Sequence, residues 1–177
     1  MVWRLALASA GVLGVTSCVT PAPSSSIRVA VHRVDTASTS VGEIVLIDGR
    51  DGVHLLLHLH GLPPGDHGMH LHANASCDVG PNPSGAMIPA GAAGGHFDPQ
   101  VSGHHGGPMG NGHLGDLPVV HVEADGSANR TLIAPRLRSV ESLRGHTLII
   151  HANGDNYSDT PAPLGGGGGR MACGVVN

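Results

Sequence analysis

Residues 95–118, GHFDPQVSGHHGGPMGNGHLGDLP, place His96, His104, His105 and His113 in one stretch, follow them with Asp116 and contain no apolar run. Such a segment cannot bury itself: ordering glycine-rich backbone carries a high entropic cost, and no apolar burial is available here to offset it. A loop of this length inside a compact domain needs something functional to order it. Imidazole and carboxylate side chains point to bound metal as the ordering agent. The rest of the chain must then form a frame stiff enough to present them.

That frame reads as all-β. Residues 27–34 (IRVAVHRV) and 53–60 (VHLLLHLH) alternate with period two and are rich in strand formers. Residues 43–47, closed by the turn-forming DGRDG of 48–52, and similar runs at 69–73, 119–123, 130–134, 146–152 and 171–176 complete a set of eight short strands. Residues 139–144 hint at a helical turn or two, and no strand–helix alternation suggests a parallel sheet. The expected class is an antiparallel sandwich or barrel. Two stretches resist the scheme, residues 74–117 and 153–169, the second ending in five consecutive glycines. Beyond residue 17 the aromatics are Phe97 and Tyr157, so core burial rests on Val, Ile and Leu.

Residues 1–17 read as an export signal: Arg4 lies in a cationic start, residues 5–15 are apolar but too few to span a bilayer, and small residues directly precede Cys18. This ending matches a bacterial lipoprotein cleavage site. The expected mature chain begins at an acylated Cys18, with a tether of prolines and serines over residues 18–26 and one domain over residues 27–177. On this reading the protein is held in the periplasm or cell envelope and touches the membrane through its N-terminal lipid alone. Removing Arg4 takes the formal charge from -4 to -5, eight basic residues against thirteen acidic ones. That mild acidity argues against a nucleic-acid partner, which would want a clustered basic face. Lipidation of Cys18 leaves Cys77 and Cys173, an even pair that in an oxidising compartment most simply forms a disulfide.

His70 and His72 flank Leu71 in a predicted strand, so their side chains leave one face with Cα atoms roughly 6.6 Å apart, at about 3.3 Å per residue. Two imidazoles so placed can converge on one ion. His-x-His also occurs on plain exposed strands; here it gains weight because His96, His105, His113 and Asp116 follow in glycine-rich backbone and His151 stands in another strand. Several neutral nitrogens with one carboxylate suit zinc or copper, whereas calcium and magnesium want oxygen almost throughout. Three nitrogens and one oxygen make a natural tetrahedral zinc site. The imidazoles left over fit a second metal.

Six blocks, GDHGMHLHANASC (65–77), AGGHFDP (93–99), HHGGP (104–108), GHLGDLP (112–118), HANGDN (151–156) and GGGRMACGVV (167–176), resemble in order the signatures of the bacterial periplasmic copper/zinc superoxide dismutases. The resemblance runs over about residues 27–177. It implies an eight-stranded antiparallel Greek-key β-barrel with long metal-binding and active-site loops, a relative of the sandwich architectures. It also implies an enzyme that dismutates superoxide to oxygen and hydrogen peroxide by alternate reduction and oxidation of a copper bridged to zinc. By this resemblance His70, His72, His96 and His151 hold copper, and His96, His105, His113 and Asp116 hold zinc, with His96 the shared imidazolate. Arg170 would hold superoxide beside copper and draw it there against the net negative charge. Cys77 and Cys173 would anchor the strand carrying Arg170, and Asp155 would link one copper ligand to one zinc ligand. Met69 stands where the family pattern has an aromatic, and histidine is more abundant than the site needs. Neither departure removes a ligand.

Plainer readings apply elsewhere. His54, His58 and His60 share what should be the solvent face of their strand, and His67 is expected in a loop. His105 is preferred to His104 as a ligand because Gly-Gly-Pro follows it. Met87, Met109 and Met171 form no cluster and read as gap-filling or exposed, and residues 165–169 as backbone passing close to a channel. Asp155, in a Gly-Asp-Asn turn, needs no metal to explain it. A metal-buffering or copper-delivery lipoprotein would use the histidines without turnover, but would need neither Arg170 nor a bridging ring. A zinc hydrolase would want an open zinc with a carboxylate base, whereas Asp116 is better used as a ligand and Glu123 lies in a strand apart. Monomer and homodimer are both compatible with the sequence.

Overall fold

The computed structural model describes residues 25–35 and 37–177. The expected signal, Cys18 and all of the tether up to residue 24 lie outside the described residues. Within them the strands are β1 (Ser26–Arg33), β2 (Ser40–Gly49), β3 (Gly52–Leu59), β4 (Gly65–His67), β5 (Met69–His72), β6 (Gly80–Pro81), β7 (Met87–Ile88), β8 (Val120–Val122), β9 (Thr131–Ala134), β10 (His146–His151) and β11 (Arg170–Val176). Seven of these form one sheet in the order β5-β10-β11-β1-β2-β3-β9, antiparallel throughout, while β4 pairs with β8.

Gly68 alone separates β4 from β5, so the two are one kinked strand, its first half on β8 and its second on β10. From β8 the chain turns, with Glu123 N–H donating to Ser127 O at 2.8 Å, and residues 128–134 then run along β3. The sheet thereby curls into the Greek-key barrel of eight strands, with β4 and β5 counted together. The short hairpin β6–β7 lies in the long loop outside it.

Several boundaries differ from the sequence reading. Ser26 opens β1 and so belongs to the domain, not to the tether. The expected strand at 69–73 begins at Gly65, because the turn-like Gly-Asp-His-Gly finds a partner in β8. His67, expected in a loop, therefore sits in a strand and is buried, its ring nitrogens 2.9 Å from the carbonyls of Pro63 and His151. The helical hint at 139–144 is a single 3-10 turn, Val140–Leu143.

Alternation sets the core. β1 points Ile27, Val29 and Val31 inward and β3 points Val53, Leu55, Leu57 and Leu59 inward. With Ile44, Leu46, Leu71 and Leu148 they fill the barrel, each such burial contributing about 1.5–3 kcal/mol. β10 is buried on both faces. Its outer face is covered by the loop after β5, where Ala90, Ala93, Ile149 and Cys173 form a second small core. The disulfide Cys77–Cys173 spans 96 residues and pins that cover to β11. Closing a loop of ~100 residues contributes about 4.7 kcal/mol on chain-entropy grounds.

Candidate metal centre

Three strands and two loops build the site. β5 carries His70 and His72, β10 ends on His151 and β11 begins at Arg170. Residues 95–118 dock onto β5 through backbone bonds: Phe97 N–H to Leu71 O (2.8 Å), Leu71 N–H to Gly115 O (2.9 Å) and Gly115 N–H to Phe97 O (2.8 Å). A side chain at Gly115 would collide with the Leu71 carbonyl, so the approach that brings His96 and Asp116 beside His72 and His70 requires glycine there.

His70, His72, His96 and His151 each offer a nitrogen, and these atoms lie within 4.8 Å of one another. In three of the rings the far nitrogen is committed. His70 Nε2–H donates to Asp155 Oδ2 (2.7 Å), His72 Nδ1–H to Gly94 O (2.9 Å) and His151 Nδ1–H to Gly168 O (3.1 Å). These acceptors fix the tautomers. Lone pairs remain on His70 Nδ1, His72 Nε2 and His151 Nε2, all buried and without a hydrogen-bond partner among the described residues. An unsatisfied buried polar atom costs about 1–3 kcal/mol, and three pointing together are the mark of a metal site whose outer hydrogen bonds orient the ligands.

A second group meets at one oxygen. His96 Nδ1, His105 Nδ1 and His113 Nδ1 lie 3.0, 2.9 and 3.3 Å from Asp116 Oδ1. A tetrahedral ion with bonds of ~2.0–2.1 Å holds its donors about 3.3 Å apart, so three nitrogens and one oxygen at this spacing fit zinc with little movement. His96 belongs to both groups, its ring stacked on that of His70 at 3.9 Å between centroids.

Asp155 ties the groups together. It accepts from His70 Nε2–H and, through both oxygens, from His105 Nε2–H at 2.9 and 3.1 Å. His70, His105 and Asp155 also form a close triad, which is this outer linkage. Two residues that belong to no recognisable ligand pattern bind the loops further. Asp159 Oδ2 accepts from His105 N–H (2.8 Å), and Tyr157, its hydroxyl accepting from Val119 N–H (3.0 Å), packs against Gly107. Both act on backbone atoms, which leave no signature in residue type. Gly165 has φ +70 and would drive a side chain into Asp155 and His105, which explains one of the consecutive glycines.

Electrostatics match this division. Burial holds His70 and His72 below the ordinary histidine range and pushes His151 down to about 3. His96 is pushed to about 4, burial outweighing its hydrogen bond with Asp116. These rings stay neutral and ready to ligate. For His105 burial works downward, but the carboxylates of Asp116 and Asp155 win and raise it to about 9. Burial likewise works upward on Asp116 and Asp155, and the bonds from His105 and its neighbours hold both well below the usual carboxylate range.

A channel of roughly 710 Å³ leads to His72, His96 and His151, past a rim that includes Pro81, Ile88, Pro163 and Leu164. Arg170 lies in it half-buried, its guanidinium donating to Ala90 O and Gly94 O. The remaining histidines stay apart. His58 and His60 are exposed and His54 partly so, while His104 turns its ring nitrogens to the Ser102 carbonyl (3.0 Å) and Asn111 Oδ1 (3.1 Å) rather than to Asp116. Met87 and Met109 are exposed and Met171 is buried.

A β-barrel whose wall carries two metal-type donor groups sharing one imidazole, with an arginine in the approach, has the donor sets of a dinuclear metalloprotein. The family profile described as copper/zinc superoxide dismutase (SODC) matches residues 40–176. The chain is 44% identical over 173 residues to Superoxide dismutase (Cu-Zn) 2 of Salmonella typhimurium, covering 98% of each. It is 47% identical over 137 residues to Superoxide dismutase (Cu-Zn) of Escherichia coli strain K12, covering 77% of this chain and 79% of the other. The solved Cu/Zn superoxide dismutase from Brucella abortus matches with a TM-score of 0.82 at 42% identity, over 86% of this chain and 100% of that one. The chain belongs to the copper/zinc superoxide dismutase family, oxidoreductases that bind copper and zinc.

Proposed function

We propose that the chain converts two superoxide anions and two protons to oxygen and hydrogen peroxide, with His70, His72, His96 and His151 holding copper and His96, His105, His113 and Asp116 holding zinc. The observation that carries this reading is the double membership of His96, which independent storage sites would not need. Copper held by His70, His72, His96 and His151 would supply the one-electron redox chemistry that pairs oxidation of one superoxide with reduction of another. Arg170 stays cationic despite burial and binds the anion by charge, its two carbonyl acceptors keeping the guanidinium fixed. His96 turns Nδ1 to Asp116, so Nε2, on the other edge of the ring, is the atom placed to hold and release a proton. Asp155 keeps His70 and His105 in the tautomers that present Nδ1 inward.

The test joins metal analysis and a superoxide-consumption assay on the purified mature protein to copper spectra recorded with zinc present and removed. Both metals, rapid consumption and a copper spectrum that responds to zinc are expected. A spectrum indifferent to zinc would mean that no ring joins the two ions, and the reading would fall.

The same reading places the mature protein outside the cytoplasm, in the periplasm or cell envelope, anchored by lipid on Cys18 and removing superoxide there. The signal-like residues 1–17 and the small residues before Cys18 support it. Mass spectrometry of the mature N-terminus should find acylated Cys18; an unmodified start elsewhere would overturn this placement.

A further inference from the structure

We infer that Arg136, on the connection that follows β9, is a positioning residue for the zinc end of the site. The inference rests on the metal assignment just proposed. Arg136 is half-buried. Its Nη2 donates to Gly112 O at 2.7 Å and its Nη1 to His113 O at 3.0 Å. These consecutive carbonyls open the turn that presents His113 and Asp116 together, and His113 O also accepts from Asp116 N–H at 3.2 Å. The guanidinium thus grips the turn at the atoms that set its geometry.

The other members of this donor group have supports of their own. His96 is paired to β5 through His72. His105 is held at its ring by Asp155 and at its backbone by Asp159. Asp116 Oδ2 accepts from Gly106 N–H at 2.9 Å. The ring of His113 has no such outer partner: its one hydrogen bond among the described residues is to Asp116 itself, at 3.3 Å. Its direction therefore depends on its backbone, which is tied by its own N–H to His104 O (3.0 Å) and by Arg136.

Arg136 is well founded for this task. The next residue, Leu137, is buried, donates to Ala134 O (3.2 Å) and accepts from Val53 N–H (3.2 Å) on β3. The fork therefore reaches from the barrel frame to the metal loop. Two parallel donors in one plane match two consecutive carbonyls; a lysine ammonium is a point charge without that fork.

The experiment compares mature wild type, Arg136→Gln and Arg136→Lys by zinc competition against a chromophoric chelator, with cobalt(II) as a spectroscopic substitute at the zinc end. Copper affinity of the zinc-free forms and melting temperature of the metal-free forms are measured alongside. Expected are a 10–100-fold loss of zinc affinity in Arg136→Gln, the usual scale for a residue that orients a ligand, partial recovery in Arg136→Lys, and altered cobalt bands. Copper affinity and metal-free melting should stay at wild-type values. Wild-type zinc affinity and cobalt bands in Arg136→Gln would overturn the inference. So would equal losses of zinc and copper affinity with a lowered metal-free melting temperature, which would mark general damage. A wild type that takes up no zinc would overturn the underlying assignment, and this inference with it.

Discussion

Arg170 is the one arginine lining the channel among the described residues, and the chain has no lysine anywhere. On the proposed function, attraction of an anion to this mouth would rest on that guanidinium and the metals behind it. Arg170→Ala should lower the rate of superoxide consumption at low ionic strength by about tenfold or more, within the range over which local fields raise encounter rates. It should also flatten the salt dependence and leave metal content unchanged. A rate series over ionic strength decides; an undiminished rate at low salt would remove Arg170 from the mechanism. Asp155→Asn makes a different prediction. An amide keeps one accepting oxygen and loses the charge, and its NH2 group must face an N–H that Asp155 now accepts from, either that of His70 at Oδ2 or those of His105 and Tyr157 at Oδ1. Copper and zinc affinities measured by chelator competition should fall about 10–100-fold.

At the scale of elements, the disulfide matters for what it holds still. Cys77 is tied to β11, and between Cys77 and the metal loop lie Ala90 and Gly94, whose carbonyls fix Arg170. The double substitution Cys77→Ser with Cys173→Ser should cost about 2–5 kcal/mol in denaturant unfolding. It should lower turnover more than metal content, because the arginine loses its fixed acceptors. Turnover per bound copper unchanged from wild type would refute that link. The alternating runs at 27–34 and 53–60 were readable because one face of each meets the core and the other meets water. β4 was not, because Gly-Asp-His-Gly has no pattern of its own and becomes a strand through a partner more than fifty residues away. The donor side chains were readable from residue type and order. Asp159, Tyr157 and Arg136 were not, because each grips backbone atoms that any residue would present.

For the molecule as a whole, the site makes stability of the metal-free protein depend on pH from both sides. His96 and His151, pushed to about 4 and about 3 from an ordinary 6.5, remain neutral while the unfolded chain takes up protons, so stability falls as pH drops below about 6.5. Asp116 and Asp155, whose carboxyls lie below their usual range, add a further loss under acid. His105, raised to about 9, contributes fully below its ordinary 6.5 and loses that contribution as pH rises through about 9. Melting temperatures of chelator-stripped protein should peak near pH 6.5 and decline on both sides; a flat profile from acid to alkaline pH would contradict the balance of charges described.

Strand β1 runs antiparallel to β11, with Arg33 opposite Ala172, two residues from Arg170. Ser26, at the other end of β1, is seven residues back, roughly 23 Å along the strand at about 3.3 Å per residue. Anything hung ahead of Ser26, whether a bead, a fusion or a surface, is thus fastened to the blind end of the molecule. Traffic through the doorway need never pass its mooring, and N-terminally immobilised protein should turn over substrate as fast as protein free in solution.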